Sequence, residues 1–278
     1  MNQDVDLRDA LISALEWQIE LGAIEAIGEH PVDRFAESAP NTAPEPEKPV
    51  KTSAIAEFQP RQPARAEAPS PGPAAPDTSE LARQADTLEA LATAMREYDG
   101  TPLKAAARNF VFCDGLLGAH LMVIGEAPGQ EEDRQGKPFV GRAGQLLDRM
   151  LAAIGLSRME TDPAKAAYIT NILPWRPVGN RTPTPEESAL FLPFVIRHIQ
   201  LAKPRVILTM GNTPTKAMLD TTTGIKRMRG NWVDHAATGL PLLPSFHPAY
   251  LLRQPADKKL AWQDLIQIRT ALDKADAS

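Results

Sequence analysis

Leu121-Met122-Val123-Ile124-Gly125 is the stretch from which the fold is read. Four large apolar residues end in a glycine and run straight into the polar segment Glu126-Ala-Pro-Gly-Gln-Glu-Glu-Asp133. A short, uniformly apolar run closed by glycine is the pattern of a strand buried on both faces. Downstream, residues 141–154 carry Leu146, Leu147, Met150, Leu151 and Ile154 at helical spacing. Tyr168-Ile-Thr-Asn-Ile-Leu173 reads as a second strand. Pro185 to Leu201 reads as a helix, with Pro185 in its first turn and Glu186 and Glu187 at the positive end of its dipole. Arg205–Met210 is a third strand, and Gly211 opens a helix near Thr213–Leu219. Leu240–Phe246 is a short fourth strand interrupted by prolines, and a last helix covers about residues 257–274. Strands alternating with helices imply a parallel sheet covered on both faces. The expected fold class is α/β: a three-layer α/β/α sandwich around a central four-stranded parallel sheet, with a disordered N-terminal extension.

Upstream of this region the chain changes character. Residues 1–84 hold 7 Lys+Arg against 15 Asp+Glu, a net of −8, while residues 85–278 hold 23 against 20, a net of +3. The overall charge of −5 therefore hides a mildly basic folded region, compatible with a polyanionic partner. Within residues 1–30, Leu7, Leu11, Leu15 and Ile19 mark an amphipathic helix over 5–28, which either docks on its own domain or frays in solvent, or offers a surface for a protein partner or for oligomerisation. Residues 31–82 form an expected tether: 11 of the 26 prolines fall in 31–80, with few aliphatic residues, so little apolar surface offsets the chain entropy. Residues 85–278 make the expected folded domain. One cysteine excludes a disulfide scaffold and any all-cysteine metal site. No apolar run approaches membrane-spanning length, and the first residues lack a basic-then-apolar leader pattern, so a cytoplasmic monomer without membrane attachment is expected.

In an open α/β sheet the ligand crevice lies beyond the carboxyl ends of the strands. The segments there are Gly125–Asp133, Asn171–Arg181, Gly211–Thr213 and His247–Arg253. Gly125 and Gly129 permit close backbone approach to a ligand. Glu126, Glu131, Glu132 and Asp133 crowd four carboxylates into eight residues, which is either a solvated acidic loop or a site with a perturbed pKa. A buried strand ending in Asn171 places an amide, both donor and acceptor, where a planar ligand edge such as a nucleobase can pair with it; capping a turn is the alternative. His247, fixed by Pro248, is placed to donate one hydrogen bond into the crevice; a purely structural histidine is the alternative. Leu251 and Leu252 beside Arg253 suggest an apolar wedge next to a cation, as in proteins that distort DNA. Lys226, Arg227 and Arg229 form a basic cluster that suits phosphates or a solvated loop equally.

Taken together, Gly-Glu-Ala-Pro-Gly-x-x-Glu-Asp, Gly-x-Pro-Phe-Val-Gly-x-Ala-Gly-Gln-Leu-Leu, Tyr-Ile-Thr-Asn, Asn-Arg-x-Pro and Phe-His-Pro-Ala-Tyr-Leu-Leu-Arg resemble the family 4 uracil-DNA glycosylases. The resemblance runs from about Tyr98 to residue 274. It implies hydrolysis of the N-glycosidic bond of deoxyuridine flipped out of DNA, in base excision repair, with abasic DNA as product. By resemblance, Phe139 stacks on the uracil, Asn171 reads its edge, and His247 donates to O2 of the departing base. Gly125, Glu126, Ala127 and Gly129 line the sugar and water, Glu132 takes part in catalysis, and Asn180 is a second active-site amide. Arg181, Arg227, Arg229 and Arg253 would contact DNA, and Leu251 or Leu252 would fill the gap left by the flipped base. Ala127 stands where better-known uracil glycosylases place a water-activating Asp.

The same resemblance implies a 4Fe–4S cluster on four cysteines, but the motif alignment puts Tyr98, Thr101, Trp175 and Phe191 at those positions. The expectation is a cofactor-free, metal-free enzyme in which packing replaces the cluster. The alternative from another class is a non-catalytic or product-retaining binder of uracil-containing or abasic DNA, motivated by Ala127 and the missing cysteines. A hydrolase of small nucleotides would leave the Leu251-Leu252-Arg253 segment unexplained, and an esterase is disfavoured by the lack of Gly-x-Ser-x-Gly.

Overall fold

The computed structural model describes residues 77–276. The amphipathic helix expected over 5–28, and the tether up to residue 76, lie outside the described residues. Two helices, α1 (Thr78–Gln84) and α2 (Leu88–Glu97), open the described region, so the end of the segment read as linker is helical from Thr78. Each has a side-chain N-cap, with Asp77 accepting from the Ser79 N–H and Thr87 from the Ala90 N–H. A short helix α3 (Leu103–Ala106) follows, then strands β1 (Cys113–Gly115) and β2 (Leu121–Gly125), and helices α4 (Gln130–Gln135) and α5 (Arg142–Ala152). Next come β3 (Ala167–Asn171), a 3-10 turn (Val178–Asn180), α6 (Pro185–Ala202), β4 (Val206–Met210), α7 (Asn212–Leu219) and α8 (Ile225–Met228). The chain ends with β5 (Val233–Asp234), β6 (Pro241–Ser245), α9 (Pro248–Arg253), a 3-10 turn (Pro255–Asp257) and α10 (Lys258–Asp276).

The sheet has six strands in the order β1-β3-β2-β4-β6-β5. The four expected strands form its parallel centre, β3-β2-β4-β6. The expected count of four is corrected by β1 and β5, which pair antiparallel at the two edges. With three and two residues they are too short to leave a period-2 pattern in the sequence.

Alternation along the central strands builds the three layers. Met122 and Ile124 of β2 point into one core with Leu91, Tyr98, Phe191, Phe194 and Ile199, supplied by α2, its following turn and α6. Leu121 and Val123 point to the other, with Leu147 and Leu151 of α5 and Leu265, Ile268 and Leu272 of α10. Helix α6 begins as its sequence requires: Thr184 and Glu187 form a reciprocal capping box around Pro185 at the first turn. Because β2 lies between β3 and β4, the chain winds away from it in both directions. The crevice at this switch point opens above Gly125, Asn171, Met210 and Ser245, at the carboxyl ends of the four parallel strands.

Candidate active site

A cavity of about 670 Å³ occupies that crevice, lined among others by Glu126, Ala127, Gly129, Glu132, Phe139, Asn171, Asn180, Arg181, His247 and Arg253. That size and mixed lining suit a small planar ligand with polar edges. The structure thus gathers at one place residues that lie up to 127 positions apart in the chain.

At its floor, β2 and β3 pair in register at Gly125 and Asn171. Asn171 is only 5% exposed, and its amide makes no hydrogen bond to any described residue. An amide that lines a cavity and has no partner among these residues leaves its donors and acceptor available to a ligand edge. Glycine at 125 is a steric requirement: a Cβ there would overlap the Asn171 Oδ1 and the Phe139 ring. Phe139 therefore sits directly beside the amide, also 5% exposed. It holds a left-handed backbone, φ 53°, which costs a non-glycine residue about 1–3 kcal/mol.

His247 closes the other side, its ring stacked on that of Phe139 with centroids 5.4 Å apart and planes 29° apart. It caps α9, accepting at Nδ1 from the Ala249 N–H at 3.1 Å. An accepting Nδ1 leaves the proton on Nε2, so the ring can donate into the cavity. Burial, with the positive charge of Arg253 adding to it, pushes its pKa down to about 4. The imidazole is thus a neutral donor at ordinary pH. Gly211, at φ 98°, brings the β4–α7 turn against the same ring, and a Cβ there would crowd the His247 Cβ at 3.0 Å.

Glu126, half-buried, accepts from the Thr213 hydroxyl at 2.8 Å. Burial raises its carboxyl pKa, partly offset by that hydrogen bond. Thr213 is a site residue that sequence reading missed. The turn Gly211–Thr213 is marked by its place after a strand, but nothing in the sequence shows that its hydroxyl reaches Glu126, 87 residues earlier.

Other expected residues are placed differently. Glu132 is buried and heavily hydrogen-bonded: one oxygen accepts from the Gly129 N–H at 3.1 Å, the other from Val140 and Gly141 at 2.9 and 2.8 Å. These three backbone donors tie two loops together through it, while it still lines the cavity. Asn180 is exposed at the cavity mouth at φ 55°, its carbonyl oxygen bound by Arg176 at 2.6 Å. Arg181 forks onto Glu187 at 2.6 and 2.8 Å and remains half-exposed at the mouth. Arg253 and Arg227 are exposed, with no ion-pair partner among the described residues.

Two expectations are corrected. Leu251 is no exposed wedge: it is 1% exposed and packs in the core shared by α5 and α10, because the turn of α9 directs it inward. Leu252 is partly buried against the same core. Arg229 is no phosphate contact: its guanidinium pairs with the fully buried Asp264 and donates to the Leu260 carbonyl at 2.7 Å. Asp264 in turn accepts from Ser245 at 2.7 Å, so this carboxylate ties α10 to the end of β6, and Arg229 ties the turn after α8 to α10.

The four positions matched to cluster cysteines are core positions here. Tyr98 packs edge-on against Phe191 and Phe194, with centroids 6.2 Å apart in each pair. Trp175 packs on Phe110 at 5.0 Å, with its indole N–H buried and unpaired. The Thr101 hydroxyl accepts from the Leu103 N–H at 3.3 Å. None offers a thiolate, and Cys113, on β1 opposite Thr170, stands at none of these positions. These side chains do not fit a 4Fe–4S cluster.

Comparison with known proteins agrees with the geometry. The family described as "Uracil DNA glycosylase superfamily" matches residues 114–266. A type-4 uracil-DNA glycosylase of Thermotoga maritima is 34% identical over 192 residues, 68% of this chain and 96% of that protein. Those of Saccharolobus solfataricus and Pyrobaculum aerophilum are each 35% identical, covering 67% and 61% of this chain and 87% and 86% of theirs. With more than half of its length matched by the family and nearly the whole of a relative aligned to it, the chain belongs to the uracil DNA glycosylase superfamily.

Proposed function

We propose that the protein is a uracil-DNA glycosylase that hydrolyses the N-glycosidic bond of deoxyuridine flipped out of DNA, without a 4Fe–4S cluster. The observation that carries this reading is the Asn171 amide, without a hydrogen-bond partner among the described residues, lining one cavity with the stacked rings of Phe139 and His247. Uracil presents N3–H and O4 to such an amide, which answers with its carbonyl and its NH₂. Cytosine reverses both polarities and leaves buried groups unpaired. Phe139 offers its ring to the base face. The reacting carbon is inaccessible in a stacked duplex, so the nucleotide enters the cavity extruded.

As the C1′–N1 bond breaks, its electron pair leaves with the base. The neutral His247 donates from Nε2 to the developing anion at O2, with its dipole fixed beforehand by Ala249. The sugar becomes cationic, and the Glu126 carboxylate, held by Thr213, stands on that side of the cavity to stabilise it or to orient the water whose oxygen adds to C1′. Ala127 has no group to take that water's proton, so Glu126 is its nearest acidic neighbour in sequence for this role. Glu132 shapes the site through the loops it holds. Arg181, Arg227 and Arg253 are the cations assigned to DNA phosphates.

The test is a labelled uracil-containing oligonucleotide, treated with alkali after incubation with wild type or His247→Ala, with iron measured in each preparation. Cleavage that needs uracil and His247, and proceeds without iron, is expected. Tight retention of uncut uracil-DNA by wild type would instead make the protein a binder and point to Ala127.

A further inference from the structure

The segment that carries Phe139 does not hold itself in place. Phe139 has a left-handed backbone, Pro138 precedes it and Gly141 follows as the N-cap of α5. Two residues from other parts of the chain hold its peptide groups. Glu132 takes the N–H groups after it, of Val140 and Gly141. Arg158 takes the carbonyls: its two terminal nitrogens donate to the Pro138 and Phe139 oxygens, both at 2.9 Å. Arg158 lies on the turn after α5, and the Ser157–Ala166 bridge ties that turn to the sheet.

We infer that Arg158 is a positioning residue for the base-stacking ring, clamping the Pro138–Phe139 backbone so that Phe139 stays stacked on His247 beside Asn171. The guanidinium is only 8% exposed and is itself aimed from two sides, by Asp148 at 2.8 Å and Asp114 at 3.1 Å. Its planar fork meets two successive carbonyls and two carboxylates at once, a geometry the single ammonium of lysine does not reproduce. An ordinary surface ion pair would spend the guanidinium on the carboxylates alone. Here they orient it, and its inner edge reaches the one backbone stretch that sets the ring. The inference rests on the proposed role of Phe139 as the stacking platform.

The experiment combines a structural and a kinetic readout on the full chain. In wild type, nuclear Overhauser contacts are expected between the Phe139 and His247 rings; in Arg158→Lys these contacts weaken or vanish, while those of Leu147 with Val123 persist. Single-turnover uracil excision is expected to fall about 10- to 100-fold in Arg158→Lys, the scale of a small misplacement of a positioned group. In a Phe139→Ala background the same substitution is expected to cost under threefold, because the ring through which it acts is gone. Should Arg158→Lys fail to fold, Asp148→Ala, at an exposed site, is expected to give a smaller loss with the same dependence on Phe139. Intact ring contacts with an unchanged rate, or an equal loss with and without Phe139, overturns the inference. If wild type excises no uracil, the functional reading falls, while the ring contacts still decide whether Arg158 holds Phe139.

Discussion

At the scale of single residues, the site works by leaving a few groups unspent and committing the rest. Asn171 makes no hydrogen bond to a described residue, whereas both oxygens of Glu132, on the same cavity, accept from backbone donors. Asn171→Asp is therefore expected to reduce uracil excision about 100-fold, since the carboxylate faces O4 without a donor, and to raise cytosine excision relative to uracil. Steady-state kcat/KM on matched uracil and cytosine oligonucleotides checks this. Loss of both activities in Asn171→Asp, with uracil still cut by Asn171→Ala, would remove the assigned role. For His247 the prediction concerns pH. With its folded pKa pushed down to about 4, the ring stays neutral through the range in which a free imidazole titrates. Single-turnover excision by wild type is expected to show no break near pH 6.5, and to change with His247 protonation only near pH 4. A rate that halves around 6.5 together with His247 ring resonances that titrate there would mean that the ring titrates as an exposed histidine; the resonances separate it from Glu126.

At the scale of elements, the active loops depend on close approaches that only glycine allows. Helix α5 begins against the Phe139 carbonyl, where a Cβ on Gly144 would overlap the carbonyl oxygen. Gly144→Ala is expected to displace the Phe139 segment, lowering stability by about 1–3 kcal/mol, as overpacking does, and uracil excision at least tenfold. Thermal melting and excision rates measured together distinguish this from a surface change. Sequence reading recognised the helix through Leu146, Leu147, Met150 and Leu151, and all four are buried. It misjudged Leu251, because adjacent leucines beside an arginine look the same whether the turn of α9 directs one inward or both outward. Arg229 was equally ambiguous: its partner Asp264 is 35 residues away, so the ion pair that removes it from the DNA-facing set cannot be seen locally.

At the scale of the whole molecule, the two cores on either side of the sheet contain buried groups that respond to acid. His198 is stacked on Phe112 at 4.3 Å and bonded to the Tyr168 hydroxyl at 2.8 Å; burial pushes its pKa down to about 3. With His247 near 4, the unfolded chain binds more protons than the folded one as pH falls below the ordinary histidine value of about 6.5. The contribution of these two histidines to stability is therefore expected to fall progressively as pH drops from 6.5 toward 3, and to be fully present above that window. Urea midpoints at pH 7.5 and 5 check the sign, and His198→Gln is expected to flatten the dependence. The aromatic cluster of Tyr98, Phe191 and Phe194 belongs to the same core, so purified protein is expected to keep its melting temperature in the presence of an iron chelator.

The sequence by itself determined the four central strands, their parallel order of helix and strand, and the loops where Asn171, Phe139 and His247 occur. Buried parallel strands are unbroken apolar runs, and their ends are punctuated by glycine, proline and polar residues within a few positions. It also determined that no four-cysteine cluster can form on a chain with one cysteine. Only the tertiary structure decided which polar groups remain free. The edge strands, the Thr213 hydrogen bond to Glu126, the backbone hydrogen bonds to Glu132, the burial of Leu251 and the grip of Arg158 on the Phe139 backbone all join residues distant in the chain. Local pattern records the period of an element and the chemistry of its ends. Whether a given carboxylate, guanidinium or amide is spent or available depends on what the fold brings within about 3 Å of it, the reach of a hydrogen bond.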